Sequence, residues 1–324
     1  MLPDAVPAPD DVLRAFALPG DVVDHEPVPG GWSNTVLRLR TTDGSYAVKV
    51  VRNPWGEPRW RDWLAEGFRL ELAARAAGVA VPDPVTAPDG SVVVDVPVDG
   101  GTVPVRLHRW VEGSRTVPRE PVDDALARWV GATLARVHGL ALRPADASVY
   151  AGRWGATRAD VWPDLVARSA GAPWHDALAA AEPLARRASA LLVDDDHAVA
   201  VLCHGDLDQK NLLVTDRGPL LCDWDVVLPM PPAHDLAHAV VTMAGWREGA
   251  VARAVLDGYA DVAGRRPALV PTDLGPALAS RLGWVRFSVD RGLAGGDPGD
   301  LVGVLDDLAH RVEVAENLRD WLSG

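Results

Sequence analysis

Two short stretches carry the side chains best suited to chemistry. The first is HGDLDQKN, His204 to Asn211, which directly follows the apolar run AVAVLC, Ala198 to Cys203. The second is LLCDWD, Leu220 to Asp225, another apolar run that ends in carboxylates. A water-soluble core has no use for acids and an amide at strand ends, so their placement needs another reason. From Asn211 the chain reads NLLV, TDRG, PLLC and then Asp223: four residues out, four to turn and four back. A hairpin of that shape sets Asn211 and Asp223 abreast, within about a strand spacing. Asp206 lies five residues before Asn211, in the loop that feeds the hairpin. Two carboxylates and an amide oxygen thus converge at one mouth. Such ligands suit Mg²⁺, which binds through carboxylates together with substrate phosphates.

The cations narrow the chemistry further. Of 32 basic residues only Lys49 and Lys210 are lysine, the rest being arginine. A compact ammonium and a planar guanidinium are not interchangeable, so Lys49, in a strand, is a candidate for a specific task. The net charge of −13 argues against a nucleic acid or an anionic membrane as partner. It favours a cationic or amine-bearing ligand, and it equally serves solubility. Cys203 and Cys222 both end apolar runs, as reduced thiols packed in a reducing compartment would. The N-terminal MLPDAVPAPDD is acidic and proline-rich, unlike a signal peptide. No apolar stretch approaches the roughly 18 residues that span a bilayer. The expected setting is the cytoplasm, as monomer or homodimer.

The elements that must hold these residues follow from periodicity. Residues 4–17 read as a short helix, and 22–24 open a strand. TVLRLR and SYAVKVV alternate on either side of TTDG, a hairpin signal. Trp63, Leu64, Phe68, Leu72 and Ala76 recur at helical spacing over 60–77, and Gly78 stops that helix. Strands follow at 92–96 and 103–107. Beyond HRWVEG, His108 to Gly113, the chain turns helical, beginning with an amphipathic helix over 123–138 that Pro121 and Asp123 start. Residues 140–197 read as irregular helix, and helices fill 233–322. The fold class is therefore α+β. A small-sheet lobe spans residues 1–109 and a mainly helical lobe residues 110–324, with a linker around 108–116.

HGDxxxxN followed by an apolar run and DW resembles the aminoglycoside phosphotransferase and choline kinase family, whose fold is protein-kinase-like. That resemblance implies a catalytic Asp206, then Asn211 and Asp223 as metal ligands, in the order kinases use. His-Gly-Asp stands where protein kinases have His-Arg-Asp, and Asp-Trp-Asp where they have Asp-Phe-Gly, which points to small-molecule kinases. PGGWSNTVLRL, Pro29 to Leu39, is similar to the family's phosphate-covering hairpin, with Gly30, Gly31, Ser33 and Asn34 in place of a full GxGxxG. An ordinary turn is the alternative. YAVKV places Lys49 as the third-strand lysine that meets nucleotide phosphates. Its carboxylate partner would be Glu66 on the next helix, with Glu71 second. RLHRWVEG looks like the segment joining the lobes, where the backbone at Arg109 and Trp110 would meet the adenine edge. Trp110 itself either contacts the base or packs in the linker. Asp225 is a further metal or substrate contact, or else a cap or local salt bridge. Asp235 in PPAHDLAH braces the catalytic loop, His204 props it, Lys210 assists near the transferred phosphate, and His138 is structural.

The implied activity is ATP-dependent, or dependent on another nucleoside triphosphate with Mg²⁺, and moves the γ-phosphate to a hydroxyl of a small molecule. An aminoglycoside or other amine-bearing antibiotic is the first acceptor class, bound by parts of 150–197 and 233–322. There Asp160, Asp164, Glu313, Glu316 and Asp320 would meet ammonium groups, or simply face solvent. A choline- or homoserine-like metabolite is the alternative acceptor, and a non-catalytic nucleotide-binding pseudokinase the alternative class. A protein kinase is disfavoured because the helix bearing Asp235 begins within ten or so residues of Asp223, leaving no room for an activation segment.

Overall fold

The computed structural model describes residues 5–29, 34–52, 58–150, 159–193 and 200–323. In chain order these begin with helix α1 (Pro9–Phe16) and strands β1 (Val22–Pro27), β2 (Thr35–Thr41) and β3 (Gly44–Val50). Helix α2 (Trp60–Ala76) follows, then β4 (Pro84–Val85), β5 (Val94–Val98), β6 (Gly101–Arg109) and β7 (Arg115–Thr116). The helical part opens with α3 (Asp124–Gly139), α4 (Trp162–Arg168), α5 (His175–Ala180) and α6 (Glu182–Ala190). Short strands β8 (Val201–Cys203), β9 (Leu212–Thr215), β10 (Gly218–Leu221) and β11 (Leu228–Met230) come next. Helices α7 (Pro232–Met243), α8 (Gly249–Ala263), α9 (Gly275–Leu293), α10 (Leu301–Glu316) and α11 (Leu318–Ser323) complete the chain.

Two compact units result. The first is Met1–Thr116 with Asn211–Val227, the second Val117–Lys210 with Leu228–Gly324. The hairpin β9–β10 therefore groups with the first unit, whereas the sequence reading assigns it to the helical lobe. Pairing explains this in part: β7, at the end of the first segment, adds to the hairpin's edge, giving the order β10–β9–β7.

The first unit's main sheet runs β1–β2–β3–β6–β4, with β5 also on β6, all antiparallel. Alternation gives it two different faces. On one, Leu37, Leu39, Tyr46, Val48, Val50, Val103, Val105 and Leu107 join Val12 and Phe16 of α1 in an apolar core. Each such side chain contributes roughly 1.5–3 kcal/mol through burial. The intervening positions face the other way, and there Lys49 of β3 stands directly opposite Arg106 of β6. Two cations side by side on a sheet repel unless carboxylates join them.

In the second unit, Asp123 caps α3 by accepting a hydrogen bond from the Leu126 amide at 2.8 Å. His138 at the far end of α3 links helices by polar contacts. Its Nε2 lies 3.0 Å from Asp235 of α7, and its Nδ1 lies 3.2 Å from the Tyr259 hydroxyl of α8. Helix α7 begins at Pro232, soon after Asp223, as the sequence spacing requires.

Candidate active site

Carboxylates do join the two cations. The Lys49 ammonium lies 2.8 Å from Asp223 Oδ1 and 2.9 Å from Asp225 Oδ2. The other oxygen of Asp225 accepts from the Arg106 guanidinium, whose second amino group donates to Glu71 of α2. The remaining Glu71 oxygen is 3.0 Å from His108 Nε2. Arg106 and Glu71 are only 2% and 0% exposed, Asp225 10%, while Asp223 is 34% exposed at the open end of the chain. Burial alone would favour neutral forms, yet the pairing overrides it. Burial lowers the Lys49 pKa, but Asp223 and Asp225 raise it by more, so the ammonium stays charged. Burial likewise opposes ionisation of Asp225, and Lys49 and Arg106 hold its carboxyl well below the usual range.

Local geometry aims these acids. In the hairpin, Thr215 pairs with Gly218 and Leu212 with Leu221, so the turn is Asp216–Arg217 alone. The Cys222 amide donates to the Asn211 carbonyl at 2.9 Å, which makes Cys222 the neighbour of Asn211. Asp223 therefore lies one residue past the position opposite Asn211: the two-residue turn sits inside the expected four-residue one and keeps the same register, which already sets Asn211 against Cys222. Asp223 instead leaves the strand in the left-handed region, φ 66° and ψ 63°. That conformation costs a non-glycine residue energy and recurs at functional sites. The following turn, Trp224–Val226, lies against α2. Trp63 Nε1 donates to the Val227 carbonyl at 2.6 Å, and a Cβ on Gly67 would run into the Trp224 carbonyl.

The partner expected for Lys49 was Glu66, and the structure corrects this. Glu66 pairs with Arg69, one turn further along α2, at 2.6 Å, and Glu71 is taken by Arg106 and His108. Neither glutamate of α2 holds Lys49: each is paired with another cation, and Lys49 is paired with Asp223 and Asp225. The Arg109 and Trp110 amides, expected at the adenine edge, donate to the carbonyls of Asp83 at 2.7 Å and Ser45 at 2.9 Å. The Arg109 side chain covers the Tyr46 ring, 4.8 Å from its centroid. The Trp110 indole carries the Arg38 guanidinium at 4.9 Å, itself paired with Glu112. Strand pairing and stacking thus use these groups locally. Asn34 Oδ1 accepts from the Arg52 amide at 3.1 Å. Gly30, Gly31 and Ser33 lie outside the described residues.

Arg106 was missed by sequence reasoning, and so was the central place of Asp225. A signal existed: a second cation on β6, in register with Lys49, needs a buried counter-ion.

In the second unit the loop from His204 is pinned from below. Asp235 accepts from the amides of His204 at 3.2 Å and Gly205 at 2.9 Å, besides its contact with His138. Burial raises the pKa of this carboxyl, but His138 and the amide donors lower it further. Asp235 is therefore the brace that the sequence suggested, and His138 is structural. Gln209 donates to the carbonyls of Thr242 at 2.6 Å and Glu120 at 3.2 Å. Lys210 sits between Asp206 at 2.9 Å and Asp208 at 3.1 Å. Both lysines of the chain thus bridge an Asp-x-Asp pair, 206/208 and 223/225. Of the acids expected either to meet acceptor ammonium groups or to face solvent, Asp164 pairs with Arg168 at 3.5 Å and Glu316 with Arg187 at 2.5 Å.

A model of the phosphotransferase enzyme family matches residues 24–270. No curated protein sequence matches closely enough to stand as a relative. Among solved structures, a spectinomycin phosphotransferase in complex with ADP and spectinomycin has a TM-score of 0.68 at 14% identity, covering 94% of this chain and 95% of that one. An aminoglycoside phosphotransferase from Alicyclobacillus acidocaldarius gives 0.64 at 17% identity, covering 99% and 98%. A microcompartment-associated aminopropanol kinase gives 0.63 at 20% identity, covering 97% and 98%. At these identities the likeness is one of fold, and it agrees with the α+β, protein-kinase-like architecture read from the motifs. Among the described residues no helix is long and apolar enough to cross a membrane.

Proposed function

Because the chain belongs to the phosphotransferase enzyme family, we propose that it moves the γ-phosphate of ATP, or of another nucleoside triphosphate, to a hydroxyl of a small amine-bearing molecule. The observation that carries this reading is the Lys49 ammonium clasped by Asp223 and Asp225. Phosphoryl transfer asks a protein for alignment and for neutralised charge rather than covalent work. A charged lysine that stays charged under burial is suited to the α- and β-phosphates. Counted with Glu71, Asp225, Lys49 and Arg106, the carboxylate of Asp223 is the surplus negative charge, and it is the most exposed acid of the set. It fits a divalent cation, as does the amide of Asn211, and Mg²⁺ bound there would neutralise charge on the β- and γ-phosphates. Asp206 orients the acceptor hydroxyl and takes its proton late. Lys210, between Asp206 and Asp208, offsets part of that loop's negative charge.

The acceptor class rests on charge and on chemistry shared by similar folds. The chain carries a net −13. The solved structures above are named for spectinomycin, aminoglycoside and aminopropanol substrates, all bearing an amine and a hydroxyl. A panel of hydroxylated amines incubated with Mg²⁺ and ATP, followed by mass spectrometry, tests this. A mass gain of one phosphoryl group on at least one amine supports the proposal. Transfer only to hydroxyl compounds without nitrogen would move the acceptor class elsewhere.

A further inference from the structure

Resting on that reading, we propose that Asp225, held by Arg106 and Glu71, is the positioning residue for the nucleotide-binding Lys49, in place of a helix carboxylate bonded to the lysine directly. Four links form the chain: Lys49 to Asp225 at 2.9 Å, Asp225 to Arg106, Arg106 to Glu71, and Glu71 to His108 at 3.0 Å. Every inner member is nearly sealed from water, so the pairs are weakly screened.

The two acids that touch Lys49 are not equivalent. Asp223 is half-open, strained into a left-handed conformation, and has one described cation, the lysine itself. It is free in charge terms to serve a second cation. Asp225 is closed in, and its far oxygen is fixed by a guanidinium that is in turn fixed by α2. A planar guanidinium holds two carboxylates in a fixed geometry, which an ammonium on a flexible stem fixes less firmly. When phosphate draws the lysine and a metal ion draws Asp223, Asp225 remains as the counter-ion that keeps Lys49 pointed along its strand. Helix α2 thus acts on the lysine at two removes, from Glu71 through Arg106 and Asp225. The register that sets Lys49 opposite Arg106 is what allows one aspartate to bind both.

A double-mutant cycle on ATP·Mg²⁺ affinity, measured by calorimetry with thermal midpoints as a control, tests this. Asp225→Asn in the wild-type background weakens ATP binding by about tenfold, within the usual range for coupled contacts. In a Lys49→Met background the same change weakens it less than about twofold, because no lysine remains to be positioned. Glu71→Gln, which keeps its shape, gives a smaller loss that likewise vanishes with Lys49→Met. It serves as the readout if Asp225→Asn does not fold. A merely structural role would lower the thermal midpoint in both backgrounds and leave the affinity losses additive, and additive losses overturn the proposal. Wild-type protein that binds no ATP would defeat the functional reading itself. Wild-type binding with an additive cycle would defeat only the positioning role.

Discussion

Asp223 and Asp225 are two residues apart, yet their surroundings divide the labour between them. One is about a third exposed (34%) and strained, the other only 10% exposed and paired twice. The depressed pKa of Asp225 makes stability depend on acid. Its folded value lies below the ordinary 3.8, although burial acts the other way, because Lys49 and Arg106 outweigh it. A depressed carboxyl contributes fully above its unfolded pKa, and that contribution is lost as pH falls through the folded value. Wild-type protein should therefore lose stability more steeply than Asp225→Asn below about pH 4. Thermal midpoints taken down the acid range would run parallel for the two proteins if the pairing were unimportant. At Asp206 the expectation concerns turnover. Asp206→Asn should keep ATP affinity and lose about 10²–10⁴-fold in kcat, the usual worth of a general base. Equal turnover by variant and wild type would remove Asp206 from the proton's path.

Helix α2 and the turn after β10 meet at a place with no spare volume. A methyl group on Gly67 would strike the Trp224 carbonyl, and Trp63 is already bonded to Val227. Gly67→Ala should destabilise the protein by about 1–3 kcal/mol through overpacking. The fall in thermal midpoint should come with weaker ATP binding, since the same turn carries Asp225. An unchanged midpoint would show that the turn can shift freely. At this scale the sequence was readable where one period dominates. The alternation of TVLRLR and SYAVKVV placed β2 and β3, and the spacing of Trp63, Leu64 and Phe68 placed α2, each within a residue or two. The hairpin after Asn211 was found but misregistered by one residue. Four residues on each side of TDRG already set Asn211 against Cys222, and the two-residue turn keeps that register, so Asp223 falls just beyond the ladder.

The assignment of segments to units depends on contacts that no local pattern contains. Lys49 and Asp223 are 174 residues apart, and the close approach of Gly67 to Trp224 joins stretches nearly as distant. The motifs gave the order of acid, amide and acid, but not that both acids of Asp-Trp-Asp would close on the lysine. Nor did they show that Glu66 would turn to Arg69. Ligand linkage operates on the molecule as a whole: saturating ATP·Mg²⁺ at about 100 times its Kd should stabilise the protein by about 2.7 kcal/mol. Lys49→Met should show little of that gain in a thermal-shift titration, and an undiminished gain would place the nucleotide away from Lys49. The most direct measurement is mass spectrometry of hydroxylated amines after incubation with the enzyme, Mg²⁺ and ATP. One acceptor gaining a single phosphoryl group with wild-type protein, and gaining it at least about 10²-fold more slowly with Asp206→Asn, is the predicted result. No acceptor modified and no ATP consumed by wild-type protein would contradict it.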